Sequence, residues 1–339
     1  MFDGFARVWT PIALASELRP GQLLPTEVAG VRLVLFRDPG GAPRALVDRC
    51  PHRGVALSLG RIADDGCVEC PFHGWRFRGD GEASKVPWNP DARLGPLAAQ
   101  AVPACERGGI LWIYTAPGLT APSEPEPPAE YLRPGVRICG ESLEWRTHWT
   151  RAMENMLDWP HLPFVHEATI GRGMLRRGDA RMDVQIEPRP YGAHTTITID
   201  GEAQRGALDL RWPNVMVLQA PIRSWTMVMM VACVPIDGAR TRMLLLTARD
   251  FLTWSALDGA FRRANRRIAG EDRAIVESSD PPEVPPARDE RSVRTDALPL
   301  LFRKRYFAEL KGSSASAELR AIRPRAERGE PTSAGPSAA

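Results

Sequence analysis

No stretch of the 339-residue chain reaches the ~18–20 uninterrupted apolar residues that a membrane-spanning helix needs. The nearest run, Trp225 to Val234, is long enough only for a buried strand. Charge of one sign is missing too. The 44 Lys and Arg face 41 Asp and Glu, a net +3, which leaves no global footprint for nucleic acid. The N-terminus, Met1-Phe2-Asp3-Gly4, has neither the basic start nor the apolar run of a secretory signal, so a cytoplasmic protein is expected. There, six cysteines point to metal binding or catalysis before disulfides. A hydrophobic share of 43% excludes wholesale disorder, and the length allows two domains with a core each.

What the chain has in quantity is proline and glycine, 32 and 29 residues, which argues for short strands and many turns. β-type runs fill the first third at Val31–Phe36, Ala45–Val47 and Ile110–Thr115. Six prolines between Pro117 and Pro134, set among Ser and Glu, mark a semi-rigid linker. We place it at 119–135, between one domain over 1–118 and another over 136–311. In the second half a region near 149–166 suits helix. Strand-like runs follow at Met182–Ile186, Thr195–Ile199, Val215–Leu218, Thr226–Val234 and Met243–Thr247. The apolar stripe of Leu257, Phe261, Ala264, Ile268, Ile275 and Val276 predicts a helix over 255–277, stopped by Asp280-Pro281-Pro282. The tail over 312–339 turns to Ala, Ser, Glu, Arg and Pro and is expected to be disordered.

Cys50-Pro51-His52 and Cys70-Pro71-Phe72-His73 form two mixed Cys–His pairs. Two thiolates on one iron and two imidazoles on the other are the ligand set of a Rieske [2Fe–2S] centre. Neutral imidazoles in place of anionic thiolates lower the negative charge around one iron and raise its potential. Pro51 and Pro71 would stiffen the two ligand loops, and Gly74 would allow the turn after His73. The competing reading is a structural zinc site, for which Cys67-x-x-Cys70 is suitably spaced. Zinc sites usually pair Cys with Cys and His with His, so Cys67 is set aside. Cys105, Cys139 and Cys233 are isolated and read as packing residues.

A second constellation lies at Asn155-x-x-Asp158-x-x-His161-x-x-x-x-His166. Two His and one carboxylate are the facial triad of non-haem Fe(II) oxygenases. On an ideal helix His161 and His166 would sit ~140° apart, wrong for one metal. Pro160 and Pro163 fall where they can break the helix and bring the rings together. For the carboxylate, Asp272 lies within the apolar stripe of the 255–277 helix, where a buried charge needs a partner such as a cation. Glu271 sits farther from the centre of the stripe. The alternative is that Asp272 pairs with Arg273 or Arg267 at the surface.

The string Asp48-Arg49-Cys50-Pro51-His52-Arg53-Gly54 with Cys70-Pro71-Phe72-His73-Gly74-Trp75 resembles the Rieske domain of ring-hydroxylating and demethylating oxygenases. Glu271 to Ser278 resembles the family segment that carries the metal carboxylate, which supports Asp272. The likeness covers about residues 5 to 310 and is nearest to oxygenase subunits of the vanillate and dicamba O-demethylase kind. It implies an α+β protein. An N-terminal all-β Rieske domain would precede a catalytic domain whose antiparallel sheet wraps around a long helix, in helix-grip fashion. It also implies homotrimeric rings, in which Asp158 bridges His73 of one subunit and His161 of the next. Asn155 would stand beside the iron or face the substrate without ligating.

The implied cofactors are the [2Fe–2S] cluster on Cys50, His52, Cys70 and His73, and mononuclear Fe(II) on His161, His166 and Asp272. Dioxygen is the co-substrate, and electrons come from NAD(P)H through a ferredoxin, a flavin reductase or both. Arg53, Arg61, Arg76, Arg78 and Lys85 flank the cluster loops and would give an acidic donor a basic rim. Neither nucleic acid nor membrane is an expected partner. The activity implied is monooxygenation, as hydroxylation or oxidative demethylation of a small aromatic or cyclic molecule. Aromatic cis-dihydroxylation is the alternative within the family, and an electron-transfer or zinc-stabilised scaffold the alternative outside it. Trp212, Met216, Trp225, Met227 and Met229 could line an apolar pocket, although alternate positions on a strand face opposite ways. His148 and His194 read as structural.

Overall fold

The computed structural model describes residues 2, 5, 7–116, 120–172, 179–222 and 225–312. The tail expected to be disordered, beyond Gly312, lies outside the described residues. Short runs and Pro/Gly turns in the first third build β1 (Trp9–Leu14), β2 (Leu24–Val28), β3 (Val31–Arg37), β4 (Pro43–Val47), β5 (Arg61–Ile62), β6 (Val68–Glu69), β7 (Arg76–Phe77), β8 (Ala83–Lys85), β9 (Ala101–Val102), β10 (Ala104–Arg107) and β11 (Ile110–Tyr114). They pair antiparallel as three small sheets, β1-β11-β10, β2-β3-β4-β9 and β5-β6-β7-β8.

β3 shows why this half is not a free-standing bead. Its sequence, Val-Arg-Leu-Val-Leu-Phe, is almost continuously apolar, as a strand buried on both faces should be. Leu33 and Leu35 point into a core that continues through the C-terminal half. Val34 and Phe36 point the other way, into a core shared with Leu57, Val68, Phe77 and the two loop cysteines, Cys50 and Cys70. One strand therefore stands between the cysteine loops and the rest of the molecule.

The C-terminal half runs β12 (Arg137–Trp145), α1 (Trp149–Leu157), α2 (Leu162–Val165), β13 (Met182–Arg189), β14 (Gly192–Ile199), β15 (Glu202–Ala203), β16 (Ala207–Arg211), β17 (Val215–Ile222), β18 (Trp225–Pro235), β19 (Thr241–Arg249), α3 (Asp258–Val276) and α4 (Ala297–Arg305). Its sheet is antiparallel in the order β12-β19-β18-β17-β16-β14-β13, with β15 on β14. The long helix α3 lies against it. Asn265 Nδ2 donates to Thr247 Oγ1 at 2.9 Å, and Arg266 pairs with the buried Glu141. This is the α+β arrangement expected, an antiparallel sheet with a long helix packed against it.

In this half β12, β15, β16 and α4 escaped the sequence reading. In β12 the inward position Glu141 is a carboxylate, made tolerable only by Arg266 from a distant helix, so the apolar alternation is broken. α4 carries Pro299 in its first turn, where its missing N–H costs nothing, but in sequence it follows the proline cluster 281–286 and looks like more of the same loop.

The proline-rich segment lies along the seam between the halves over 120–135. Trp9 Nε1 donates to Ser123 O at 2.7 Å, Arg211 Nη1 to Glu126 O at 2.9 Å, and the buried Tyr131 hydroxyl to Leu246 O at 2.9 Å. Direct bonds cross the seam as well, with Ala29 N and Gly30 N donating to Pro235 O and Ile236 O at 2.8 and 2.7 Å. Among the described residues no helix is long and apolar enough to cross a membrane.

The N-terminal end of α3 is anchored by charge. Arg249, 0% exposed, donates to Asp258 Oδ1 at 2.6 Å and lies 4.0 Å over the Phe261 ring. Arg137 binds the same carboxylate. Burial alone would raise the Asp258 carboxyl, but the two guanidiniums outweigh it and hold it below the usual range. Such a group stabilises the fold above the ordinary carboxylate pKa near ~4, and this stability is lost as pH falls through its lower folded value. Asp258→Ala leaves Arg249 buried and unpaired. It should cost about 3–5 kcal/mol, read as a lower urea midpoint at unchanged slope, with the gap to wild type closing in acid.

Candidate active site

The two cysteine loops close in the same way. Cys50 N donates to Val55 O at 2.8 Å and Gly54 N to Cys50 O at 2.9 Å; Cys70 N donates to Trp75 O at 2.8 Å and Gly74 N to Cys70 O at 3.0 Å. Each closure needs a left-handed residue four places after the cysteine, and Gly54 and Gly74 supply it at φ +73° and +68°. Asp48 secures the base of the first loop by accepting from Ser58 N and Oγ, both at 2.7 Å. The sulfurs point inward and both cysteines are 2% exposed, whereas His52 and His73 stand at the surface. The imidazoles are braced by rings. His52 stacks on Trp75 with centroids 4.5 Å apart, Phe72 lies 4.0 Å from His73, and the two histidine rings are 4.7 Å apart.

Burial, and the neighbouring Cys70, push the Cys50 thiol up to about 11, although the amides of His52 and Arg53 favour its thiolate. Such a thiol is no nucleophile at neutral pH; a metal would have to hold it ionised. Among the described residues, the one group of three or more Cys, His, Asp or Glu ligand atoms lying within 4.8 Å of one another is elsewhere. The four donors here therefore do not gather around one point, as a single tetrahedral zinc with ~2.3 Å bonds to sulfur would require. A two-metal cluster, with sulfurs inside and imidazoles outside, fits them.

That tighter group is His161, His166 and Asp272. α1 stops at Leu157, Asp158 is extended, and α2 starts after His161 with Pro163 in its first turn. The chain break brings the two rings to a centroid distance of 5.3 Å, the correction to ideal helix geometry that the prolines led us to expect. His161 Nδ1 lies 3.2 Å from Asp158 Oδ2, and His166 Nδ1 lies 2.9 Å from Glu271 Oε2. Carboxylates only accept, so both Nδ1 atoms carry the hydrogen, and in the neutral rings, the form that binds a metal, both Nε2 atoms present lone pairs. Those lone pairs face Asp272 Oδ1 at 3.5 and 3.2 Å. Asp272 is 3% exposed, and its Oδ1 has no hydrogen-bond donor. Three acceptors converging in a buried place repel one another unless a cation sits among them. An Fe(II) site fits.

Sequence reasoning missed Glu271. It accepts from Thr169 Oγ1 at 2.6 Å and has Arg267 Nε 3.8 Å away. Burial disfavours its charge, but Thr169 and His166 outweigh that and keep it ionised below the usual glutamate range. Burial likewise opposes a charged His166, yet Asp272 and Glu271 together hold its imidazole above the usual range. The only signal was adjacency to Asp272: successive residues on a helix lie ~100° apart, so one can face the metal while the other reaches the back of the ligand ring.

Above this group opens a cavity of about 650 Å³, its mouth included. Its floor is one face of the sheet. Leu208, Leu218 and Met229 stand side by side across β16, β17 and β18, and Met216, Val231 and Leu245 across β17, β18 and β19. Two of the five pocket candidates, Met216 and Met229, line it. Met227 shares the parity of Met229 but lies one step beyond the cavity. Trp225 is half exposed and stacks on Phe251. Trp212, in the β16–β17 turn, lies under Arg305 at 4.4 Å. Asn155 and Asp158 border both this cavity and a polar cleft on the far side of α1.

Residues 8–101 match the Rieske [2Fe-2S] domain family, and residues 145–310 match the vanillate O-demethylase oxygenase C-terminal domain. The chain belongs to the Rieske oxygenases. This Rieske oxygenase is 29% identical over 292 residues to chlorophyllide a oxygenase of Chlamydomonas reinhardtii, covering 81% of the chain and 43% of that protein. It is 26% identical over 314 residues to the methylxanthine N3-demethylase NdmB of Pseudomonas putida, covering 87% of each. The chain thus spans less than half the length of the chloroplast relative. A crystal structure of dicamba monooxygenase bound to dicamba shares the fold, with a TM-score of 0.76 at 21% identity over 94% of this chain and 98% of that one.

In this Rieske oxygenase His148 caps α1 by accepting from Thr150 N, and His194 binds the buried Asp209 at 2.6 Å, so neither enters the site. The expected basic rim is thinner than the sequence suggests. Arg61 and Arg76 share Glu69, and Arg78 faces Glu82, which leaves Arg53 and Lys85 to greet a donor. Glu271→Gln keeps the shape but weakens the hold on His166. We expect Fe(II) affinity at the His161–His166–Asp272 group to fall about 10–100-fold, measured by equilibrium titration, with the visible absorption of the cluster unchanged.

Proposed function

We propose that the chain is the oxygenase component of a multicomponent system. It would use dioxygen, and electrons passed from NAD(P)H by a flavin reductase, a ferredoxin or both, to monooxygenate a small organic molecule by hydroxylation or oxidative demethylation. In this reading Cys50, His52, Cys70 and His73 hold the [2Fe–2S] cluster, and His161, His166 and Asp272 hold Fe(II). The observation that carries it is the set of three converging acceptors at the base of an apolar cavity. Bound there, iron supplies open positions at which dioxygen is activated. The chain does the rest. Asp158 and Glu271 fix the two imidazoles in orientation and tautomer, and the leucine, methionine and valine floor keeps bulk water from the reacting molecule.

The same reading places Asp158 between two subunits of a homotrimer, bonded to His161 on one side and to His73 of the next chain on the other. Two features support this. His73 stands at the surface, and the Asp158 side chain keeps 26% of its exposure although it touches His161. Asn155, whose buried Nδ2 has no acceptor, would face the substrate. A cytoplasmic location, where NAD(P)H and its reductases meet the chain, belongs to the same proposal.

Three measurements test it. Purified protein should hold iron and acid-labile sulfide in about a three-to-two ratio; zinc without sulfide would end the oxygenase reading. His161→Ala should lose the mononuclear iron and keep the colour of the cluster, whereas loss of both would contradict two separate sites. A substrate panel with reductase supplied, followed by product mass, then sorts the chemistry: one oxygen gained is hydroxylation, a methylene lost is demethylation, and two hydroxyls gained would favour dihydroxylation.

A further inference from the structure

The polar atoms of the cavity are unevenly matched. Trp145, 0% exposed on β12, and Trp159, just after α1, both line it. Their indole Nε1–H groups are buried and have no acceptor in the chain, and the Nδ2–H of Asn155 is in the same position. A buried N–H without a partner costs the folded protein free energy, so such groups are normally satisfied by something. Around them the walls are mostly leucine, methionine, valine and isoleucine, with Asn265 the other amide on the lining. The charged side chains on the lining, besides the paired histidines, are the carboxylates of Asp158 and Asp272. Among the described residues no arginine or lysine lines the space.

We infer that the substrate is an uncharged, largely apolar molecule carrying a hydrogen-bond acceptor, such as a carbonyl or ether oxygen or a ring nitrogen, and that Trp145 and Trp159 read that acceptor. A carboxylated substrate fits poorly. Among the described residues no side-chain cation would pair its charge, and the Asp158 carboxylate would stand beside it. An acceptor oxygen meets indole donors whose hydrogen bonds are otherwise unmade, and discrimination is strongest where a site's buried polar groups go unpaired with the wrong ligand. The inference rests on the oxygenase reading only in calling this ligand the substrate.

The test uses three molecules of nearly one shape, 1-tetralone, tetralin and tetralin-1-carboxylate, with anaerobic, reduced holoenzyme. Binding is measured by calorimetry, and oxygen incorporation separately by mass with reductase supplied. We expect the ketone to bind about tenfold more tightly than the hydrocarbon, the size of one well-made hydrogen bond, and at least as far ahead of the carboxylate. Trp145→Phe keeps a ring and removes the donor. It should erase most of the preference for ketone over tetralin while leaving tetralin binding within about threefold. Trp159→Phe is the second variant, read in the same way should the first fail to fold. A carboxylate that binds as well as the ketone, or a ketone preference that survives in both variants, overturns the inference. The two readings fail separately. Selective ketone binding with no oxygen gained from any of the three supports the recognition and counts against the oxygenase, whereas efficient oxygenation of the carboxylate does the reverse.

Discussion

Three lone pairs aimed at one buried point are the constraint around which the catalytic half is built. Left alone, Asp272 Oδ1 and the Nε2 atoms of His161 and His166 would push one another apart, so the chain has to hold them from behind. It does so with structure brought from three places. The α1–α2 break sets the two rings side by side, and Asp158 turns the first ring. The long helix α3 delivers Asp272 to the front and Glu271 to the back of the second ring from neighbouring positions. α3 is itself located by Asn265 on Thr247, by Arg266 on Glu141, and by the Arg249–Asp258 pair at its start. Charge thus positions the helix, and the helix positions charge.

The cluster end obeys a different rule. There the ligands are spread around a larger object, and the problem is to present four donors from two short loops without long elements to hold them. The solution is repetition: one closure used twice, with a glycine at the same step and an aromatic ring against each imidazole. The His is two residues after Cys50 and three after Cys70, so the same loop aims its imidazole differently each time. Burial splits the donors into an inner sulfur pair and an outer nitrogen pair.

The two Cys–His pairs and the His161–His166 pair were legible as candidate ligands because the chemistry fixes both type and spacing, whereas Asp272 came from its place in a helix stripe and from a family resemblance. Five strands of the second half, β13, β14, β17, β18 and β19, were legible because β-branched and apolar residues clustered between turns, and α3 because its stripe was continuous. Glu271 was hidden, since a carboxylate that serves a ligand carries no spacing rule of its own. β12 was hidden by the inward Glu141, whose partner lies 125 residues away in sequence. The pocket was half legible: parity on a strand separates two faces but does not tell how far along the strand a cavity extends. That is why Met216 and Met229 reach it and Met227 does not. The proline-rich stretch was read as a spacer from composition alone, whereas its backbone carbonyls and Tyr131 fasten it to both halves.

That fastening bears on how electrons must travel. Some redox proteins carry their cofactor on a tethered shuttle that swings between donor and acceptor. Here β3 shares its side chains with cores on both sides, backbone bonds cross the seam, and the would-be tether is pinned along its length. A cluster held in this way has a fixed address on the molecular surface. An electron donor must therefore come to the cluster, because the cluster is not built to swing out to the donor.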